Sequence, residues 1–278
     1  MQLLYIMSDI RSGSTLLENI LSKSPETISV GELRLLDSHL HKGIWGRRWN
    51  WCCSCGEEFG NCTFWKAVFD EMGLESPQEI AQTMMNRPPL TKEDQLENDA
   101  MLRLFERIYQ AVFKVSGAKC IIDSSKEPFQ GLSVYKHMPF PVKIIYLERD
   151  LRAVTLSKSK WNKINHDLRP NLTKTLLLSF RIRLICHRLL KQVKPGDVYR
   201  MTYEDFLKRP QYHLDAITRF ADIPPIQMPE YMELEEDHTI AGTPNRFTKR
   251  PIKFDDSWKH KVTNKPVFNA LGGLLNAF

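Results

Sequence analysis

Residues 8–15 combine small, hydroxyl and cationic side chains in an order suited to binding an anion. The segment, SDIRSGST, lies between an apolar run, Leu3–Met7, and a stretch from Thr15 whose apolar residues recur at helical spacing. A loop that joins a strand to a helix in this way directs backbone N–H groups and the helix dipole at a bound anion. The segment therefore predicts an anion-binding loop.

This loop departs from the phosphate loop of nucleoside triphosphatases. Against the pattern G-x-x-x-x-G-K-[ST], Gly13 and Thr15 are in place, but Ser8 replaces the first glycine and Ser14 replaces the lysine. The cation is Arg11 instead. A sulfonyl group carries less charge than a phosphoryl group, so Arg11 and backbone donors suffice for a phosphosulfate without a metal. A helix N-cap with a chance glycine is the alternative interpretation.

A second candidate anion site follows the apolar run Val142–Leu147. Arg149 lies at the end of this predicted strand, and Ser157 lies two turns into the helix that follows. A guanidinium makes forked, charge-assisted hydrogen bonds to phosphate, and a hydroxyl adds a further donor. The alternative is a surface ion pair between Arg149 and Asp150.

The charge balance favours a small anionic ligand over a polyanion. Lysine and arginine total 39 against 33 acidic residues, which gives a net charge of +6. The basic residues are scattered, with clusters only as short as Arg47-Arg48 and Lys249-Arg250, so we expect no nucleic-acid partner. No apolar run is long enough to span a membrane, and the N-terminus lacks the features of a signal peptide. We therefore expect no membrane partner and a cytoplasmic location.

Five apolar runs alternate with helical patterns along the chain. The predicted strands are Leu3–Met7, Thr27–Val30, Lys119–Asp123, Val142–Leu147 and Val198–Met201. The main predicted helices span 15–22, 101–115, 151–161, 172–193, 204–207 and 212–221. This alternation predicts an α/β protein with three α/β/α layers and a mainly parallel central sheet. Ligands bind beyond the carboxyl ends of such strands, and both anion motifs follow a strand.

Together, the two anion motifs resemble those of the sulfotransferases that use 3′-phosphoadenosine 5′-phosphosulfate (PAPS). The segment Arg11-Ser12-Gly13-Ser14-Thr15-x-Leu17 is similar to their 5′-phosphosulfate loop, and Arg149 with Ser157 is similar to their 3′-phosphate site. The resemblance implies the P-loop-like sulfotransferase fold of bacterial members. It also implies PAPS as co-substrate, with no metal required.

Two further elements extend the resemblance over most of the chain. Tyr203-Glu204-Asp205 is similar to the family's Tyr-Glu-Asp element, which places Tyr203 beside the adenine. Residues 238–247, HTIAGTPNRF, resemble the element that closes over the nucleotide in bacterial members. This implies nucleotide contacts from Gly242 and Arg246, with Arg246 at the 3′-phosphate, and a covering role for His238 and Lys249.

The resemblance also implies how the acceptor is activated. Glu32 follows the second predicted strand, where carbohydrate, tyrosyl-protein and several bacterial sulfotransferases have their general base. Lys126 follows the third predicted strand and is similar to a lysine that tyrosyl-protein sulfotransferases place near the transferred group. We predict Glu32 as the base, with Arg11 and Lys126 stabilising charge. The alternative bases are His39 and His41, and a helix first-turn carboxylate is the structural alternative for Glu32.

Four cysteines cluster at Cys52, Cys53, Cys55 and Cys62. Four thiolates satisfy a tetrahedral zinc site, but the spacing differs from paired C-x₂-C knuckles and the first two ligands are adjacent. A labile disulfide and packed free thiols are the other interpretations. The segment CSCG at 53–56 also recurs in the bacterial relatives. From the sequence we assign no metal-binding residue.

We predict one sulfotransferase domain over residues 1–278, with an acceptor-side insertion at 40–100 and a nucleotide-covering segment at 237–261. The enzyme would move the sulfonyl group of PAPS to a hydroxyl or amine of a small-molecule acceptor, as in natural-product tailoring. A small-metabolite kinase with a degenerate loop and a non-catalytic nucleotide-binding module are the alternatives. Three tryptophans in the insertion are candidates for an acceptor lid: Trp45, Trp49 and Trp51. The sequence does not specify the acceptor or the oligomeric state.

Overall fold

A five-stranded parallel β-sheet forms the centre of the molecule. The computed structural model describes residues 1–40, 52–74, 78–85, 99–166, 171–232, 237–243, 248–253 and 255–277. The strands are β1 (Gln2–Ser8), β2 (Thr27–Gly31), β3 (Cys120–Lys126), β4 (Val142–Glu148) and β5 (Val198–Thr202). Their order is β2-β3-β1-β4-β5, and all neighbours are parallel. The five predicted strands and the α/β class are confirmed.

Helices cover both faces of this sheet. They are α1 (Ser14–Leu21), α2 (Leu36–Leu40), α3 (Thr63–Glu71), α4 (Gln78–Met85), α5 (Asp99–Ser116), α6 (Pro128–His137), α7 (Leu151–His166), α8 (Leu172–Leu189), α9 (Tyr203–Lys208), α10 (Pro210–Ala221), α11 (Trp258–Thr263) and α12 (Pro266–Asn276). Two short strands, β6 (Tyr231–Met232) and β7 (Arg250–Pro251), form an antiparallel pair. None of the helices in the described ranges has the length and apolar content needed to cross a bilayer.

The alternation of side chains along β1 divides the core in two. Leu3, Tyr5 and Met7 join the apolar cluster that includes residues of α5 and α6, whereas Leu4 and Ile6 join the cluster that includes α1 and α10. Successive side chains of a strand point to opposite faces, so a strand covered on both sides must be apolar throughout. This is why a near-continuous apolar run, rather than an alternating one, marks β1 and β4 in the sequence.

Helix α6 lacks a helical pattern in the sequence because it has almost no polar face. Every residue from Pro128 to Val134 is buried. The helix begins at a proline, and the Glu127 carboxylate caps it by accepting a hydrogen bond from the Gln130 N–H (2.5 Å). Local capping, rather than periodicity, therefore marks this helix in the sequence.

A buried hydrogen bond joins α5 to β3. The Tyr109 hydroxyl donates to Asp123 Oδ2 (2.5 Å), and the Ser125 N–H donates to Oδ1 (2.7 Å). Burial raises the pKa of Asp123 to about 6, from an ordinary value of 3.8. Between these two pKa values the folded state keeps a proton on Asp123 that the unfolded state releases.

Because the folded state keeps this proton, we expect Asp123 to oppose any rise in stability as the pH increases from 4 to 6. The contribution of Asp123 to the free energy of unfolding falls in this window by at most about 1.4 kcal/mol per pH unit. Urea denaturation of the protein and of Asp123→Asn at several pH values measures the difference. The variant should gain more stability than the parent across the window, while Asp70→Asn, at an exposed aspartate of α3, should follow the parent. Parallel curves for Asp123→Asn and its parent would contradict the assignment.

Candidate active site

The carboxyl ends of the strands bring the predicted site residues to one edge of the sheet. Arg11 follows β1, Glu32 follows β2 and Lys126 ends β3, whereas Arg149 follows β4 and Tyr203 follows β5. Parallel strands all end at the same edge, so five residues that are distant in sequence converge there.

The loop between β1 and α1 adopts left-handed backbone at two residues, Arg11 (φ 72°) and Gly13 (φ 100°). A Cβ built on Gly13 would lie 2.4 Å from Tyr203 Cδ2, so the tyrosine ring packs directly on the glycine. The N–H groups of Ser14 and Thr15 open the first turn of α1, where a helix has no intrahelical acceptors for them. The loop therefore presents backbone donors toward the sheet edge.

A buried ion pair anchors this loop to the helices behind it. Lys158 Nζ of α7 donates to both carboxylate oxygens of Asp9 (2.7 and 2.6 Å) and to Ser179 Oγ of α8 (2.9 Å). Burial raises the pKa of Asp9, and the charge of Lys158 opposes this rise. Because Asp9 is paired with Lys158, its negative charge is not the counterion of Arg11.

The two predicted anion motifs meet in the structure. Arg11 Nε donates to Ser157 Oγ (3.0 Å), and the Arg11 guanidinium lies 5.3 Å from the centre of the Trp161 ring. Arg149 Nη1 donates to the Arg11 carbonyl oxygen (3.1 Å), and its guanidinium lies 4.3 Å from the centre of the Tyr203 ring. The Arg11 side chain therefore extends from the first motif to the second.

The electrostatics of the cluster are dominated by positive charge. Burial lowers the pKa of Arg11, the charge of Arg149 lowers it further, and the charge of Glu32 raises it. Asp150 does not neutralise Arg149, because its carboxylate accepts hydrogen bonds from Arg152 Nε (3.0 Å) and Nη2 (2.7 Å). The surface pairing of Arg149 with Asp150 is therefore not the arrangement found.

Glu32 and Lys126 form an ion pair at the same edge. Glu32 Oε1 lies 2.6 Å from Lys126 Nζ, and the two side chains are only 15% and 6% exposed. Glu32 precedes a 3₁₀ turn, Leu33–Leu35, but its side chain makes no cap hydrogen bond there. Lys126 holds a left-handed backbone (φ 70°), an uncommon conformation for a non-glycine residue, which is typical of functional sites.

A C-terminal segment lies against the end of β2. Ile240 N–H donates to the Val30 carbonyl (3.0 Å), and Glu32 N–H donates to the Ile240 carbonyl (2.8 Å). A Cβ on Gly31 (φ 70°) would lie 2.3 Å from the Ile240 oxygen, so only glycine permits this approach. Gly242 (φ 93°) follows within the same segment. This segment supports the backbone that carries Glu32.

The remaining predicted residues lie elsewhere or outside the described ranges. Arg246, His41 and the three tryptophans of the proposed lid are outside the described residues. His39 belongs to α2. The His238 ring lies against cysteine thiols and the Phe64 ring. Its covering role over a nucleotide stays a prediction.

The sequence analysis missed one cation of the site, Arg250. Its charge lowers the pKa of Arg11, which shows that the two guanidiniums lie near each other. Within the described residues, Arg149 Nε and Arg250 Nε are buried without a hydrogen-bond acceptor. The short Lys249-Arg250 cluster was the available signal. Buried cationic donors without acceptors suit an anionic ligand.

The parallel α/β fold and the cationic sheet edge fit a transferase, and the family comparison supports this class. The model of the sulfotransferase family matches residues 4–227, and the chain belongs to this family. Membership supports a sulfotransferase activity.

Solved structures of sulfotransferase domains share the fold. The domain from the curacin biosynthetic pathway is 19% identical, with a TM-score of 0.57 over 93% of this chain and 89% of that one. The domain from the Synechococcus PCC 7002 olefin synthase is 21% identical, with a TM-score of 0.57 over 93% and 87%. These similarities confirm the predicted P-loop-like sulfotransferase fold. No curated protein matches the chain in sequence.

The contact between Gly13 and Tyr203 is testable by adding one methyl group. Gly13→Ala should lower the free energy of unfolding by about 1–3 kcal/mol, because the methyl meets the Tyr203 ring and the backbone is left-handed. Gly60→Ala, where an added Cβ meets nothing within 4 Å, is the matched control and should change stability by less than about 0.5 kcal/mol. Urea denaturation compares them, and equal stabilities would contradict the tight packing.

Proposed function

We propose that the protein transfers the sulfonyl group of PAPS to a hydroxyl or amine of a small-molecule acceptor. One observation carries this proposal: Arg11 and Arg149 lie together at the sheet edge, both partly buried, and the neighbouring Asp150 carboxylate is bonded to Arg152 rather than to Arg149. A nucleotide with separate anionic groups at its two ends would neutralise both guanidiniums. Family membership supports the same reaction class.

The residues present fit this nucleotide. Arg149 Nε is a buried donor without an acceptor in the described chain, which suits the 3′-phosphate. Ser157, whose hydroxyl accepts from Arg11 Nε, would add a second donor to that phosphate. Backbone and hydroxyl donors of Ser12, Gly13, Ser14 and Thr15 would hold the 5′-phosphosulfate. In this proposal Tyr203 contacts the adenine, and Arg246 and Gly242 belong to the segment that covers the nucleotide.

Within this proposal, Glu32 and Lys126 divide the work of the transfer. The acceptor oxygen or nitrogen bonds to sulfur while the bond from sulfur to the 5′-phosphate oxygen breaks, and the electron pair stays on that phosphate. Glu32 takes the proton of the acceptor, and Lys126 and Arg11 stabilise the charge that develops on the leaving oxygen. Loss of one well-placed donor of this kind typically costs about 10²–10³ in rate.

The role of Glu32 predicts a separation of binding from turnover. Glu32→Gln keeps the shape of the side chain but cannot accept the proton, so we expect turnover to fall by about 10²–10⁴. Affinity for adenosine 3′,5′-bisphosphate, measured by calorimetry, should change less than about threefold, since no contact of Glu32 to the nucleotide is proposed. Glu71→Gln, at an exposed glutamate of α3, is the control. Retained turnover in Glu32→Gln would remove Glu32 from the base role.

The role of Arg149 predicts selectivity for the 3′-phosphate. Arg149→Ala should weaken binding of adenosine 3′,5′-bisphosphate by about 10- to 100-fold, as expected for a lost hydrogen bond to a charged group. Binding of adenosine 5′-phosphate, which lacks the 3′-phosphate, should change far less. Lys114→Ala removes an exposed cation of α5 and controls for the change in net charge. Equal losses for both nucleotides would contradict the assignment.

The nucleotide that the protein binds tests the proposal as a whole. We expect calorimetry to detect adenosine 3′,5′-bisphosphate and to detect ATP only weakly, with or without Mg²⁺. Tight binding of Mg²⁺-ATP alone would favour the kinase alternative. Binding of adenosine 3′,5′-bisphosphate without sulfation of any member of a broad hydroxyl and amine panel would favour the non-catalytic module.

A further inference from the structure

Three thiols and one imidazole converge beside the site, outside the proposed chemistry. The ligand atoms of Cys53, Cys55, Cys62 and His238 all lie within 4.8 Å of one another. His238 Nδ1 lies 3.2 Å from Cys62 Sγ and 3.6 Å from Cys53 Sγ, and Cys55 Sγ lies 3.9 Å from Cys62 Sγ. Cys52, the fourth cysteine of the sequence cluster, is not part of this group.

Three of these separations match the edges of a tetrahedral zinc site. With zinc–sulfur bonds of about 2.3 Å and a zinc–nitrogen bond of about 2.0 Å, the edges of a tetrahedron are about 3.8 Å between sulfurs and about 3.5 Å between sulfur and nitrogen. The three distances given above lie within about 0.4 Å of those values. A disulfide would use two of the thiols and leave the third thiol and the imidazole without a role.

The backbone around the cysteines is already folded to present them. Gly56 N–H donates to the Cys53 carbonyl (3.0 Å), and Gly56 has a left-handed backbone (φ 91°), which closes a tight turn between Cys53 and the next residues. Cys52 and Glu58 form an antiparallel bridge across this turn. The Cys62 N–H donates to the Glu58 carbonyl (3.1 Å), so the third cysteine is held against the same hairpin.

The imidazole arrives from a segment 176 positions further along the chain than Cys62. Its ring stacks on Phe64, with centroids 4.7 Å apart and planes inclined by 8°. Trp65 Nε1 donates to the His238 carbonyl (2.8 Å), and Ser54 Oγ accepts from the Thr239 N–H (2.8 Å). The ring is therefore held in position on both sides by contacts that do not involve a metal.

We propose that Cys53, Cys55, Cys62 and His238 bind one Zn²⁺ ion in a closed, structural site. Four protein ligands leave no open position for a substrate or a water, so the ion takes no part in sulfonyl transfer. Zinc suits this set of thiolate and imidazole ligands, whereas Mg²⁺ and Ca²⁺ prefer oxygen. Binding displaces the thiol protons, because the ligands are thiolates.

The ion would stabilise the segment that supports Glu32, the proposed base. His238 is two residues before Ile240, whose backbone donates to Val30 and accepts from Glu32. Zinc would thus tie the hairpin at residues 52–62 to the segment that lies along the end of β2. His238 is in this sense a positioning residue for Glu32, and this consequence rests on the proposed function, whereas the zinc site does not.

The decisive experiment is metal analysis of the full-length protein purified under reducing conditions without chelator. We expect inductively coupled plasma mass spectrometry to find about one zinc per chain. The zinc X-ray absorption spectrum should fit three sulfurs at about 2.3 Å and one nitrogen. Cys62→Ser and His238→Asn should lose most of the zinc, and Cys52→Ser, the adjacent buried cysteine, should keep it. Should Cys62→Ser fail to fold, the absorption spectrum of the parent still decides.

Three results would overturn the proposal. They are zinc at background level after reconstitution of the reduced protein with Zn²⁺, a four-sulfur coordination shell, and loss of zinc in Cys52→Ser with retention in His238→Asn. None of them depends on sulfotransferase activity. If zinc is present and its removal lowers turnover while adenosine 3′,5′-bisphosphate still binds, the link to Glu32 is supported. Unchanged turnover would contradict this link and leave the ion with a role only in the stability of the fold.

Discussion

Two guanidinium groups held side by side at the carboxyl edge of the sheet are the constraint on which the site depends. Arg149 lowers the pKa of Arg11 and donates a hydrogen bond to its carbonyl oxygen, while the charge of Glu32 raises that pKa. Two acidic side chains close in sequence are paired with other cations, Asp9 with Lys158 and Asp150 with Arg152. Buried charge without a counterion is costly. An anionic ligand is therefore the natural counterion of this edge.

Holding such a site requires strained backbone, and the strain is found where the chemistry is expected. Four non-glycine residues of the described chain have left-handed backbone, and three of them lie at this edge: Arg11, Lys126 and Ala241. The ladders between β1 and β3 and between β2 and β3 also shift register near their carboxyl ends. Such irregularities redirect side chains beside active sites. The regular part of the sheet provides the stability that offsets the cost of these irregularities.

The central strands were predictable because they are covered on both faces, which makes runs such as Val142–Leu147 apolar at all but one position. The convergence of Arg11, Glu32, Lys126 and Arg149 at one edge followed from parallel topology alone. Apolar periodicity did not reveal α6, whose residues from Pro128 to Val134 are all buried. Nor did local patterns reveal His238 beside the cysteines, because spacing within 52–62 carries no information about a ligand far along the chain. Contacts between distant segments were the part that no local pattern encodes.

The Glu32–Lys126 pair explains why a base and a cation belong at the ends of adjacent strands. In the proposed transfer, a proton leaves the acceptor as negative charge builds on the leaving oxygen, so the carboxylate and the ammonium are needed at the same moment on opposite sides of the sulfur. Before an acceptor arrives, each neutralises the other at 2.6 Å in a largely buried position. In this proposal, binding of the acceptor and of the phosphosulfate gives Glu32 and Lys126 each a substrate group as partner in place of the other. In the proposal, the resting pair therefore holds the two side chains in place at the sheet edge until both substrates bind.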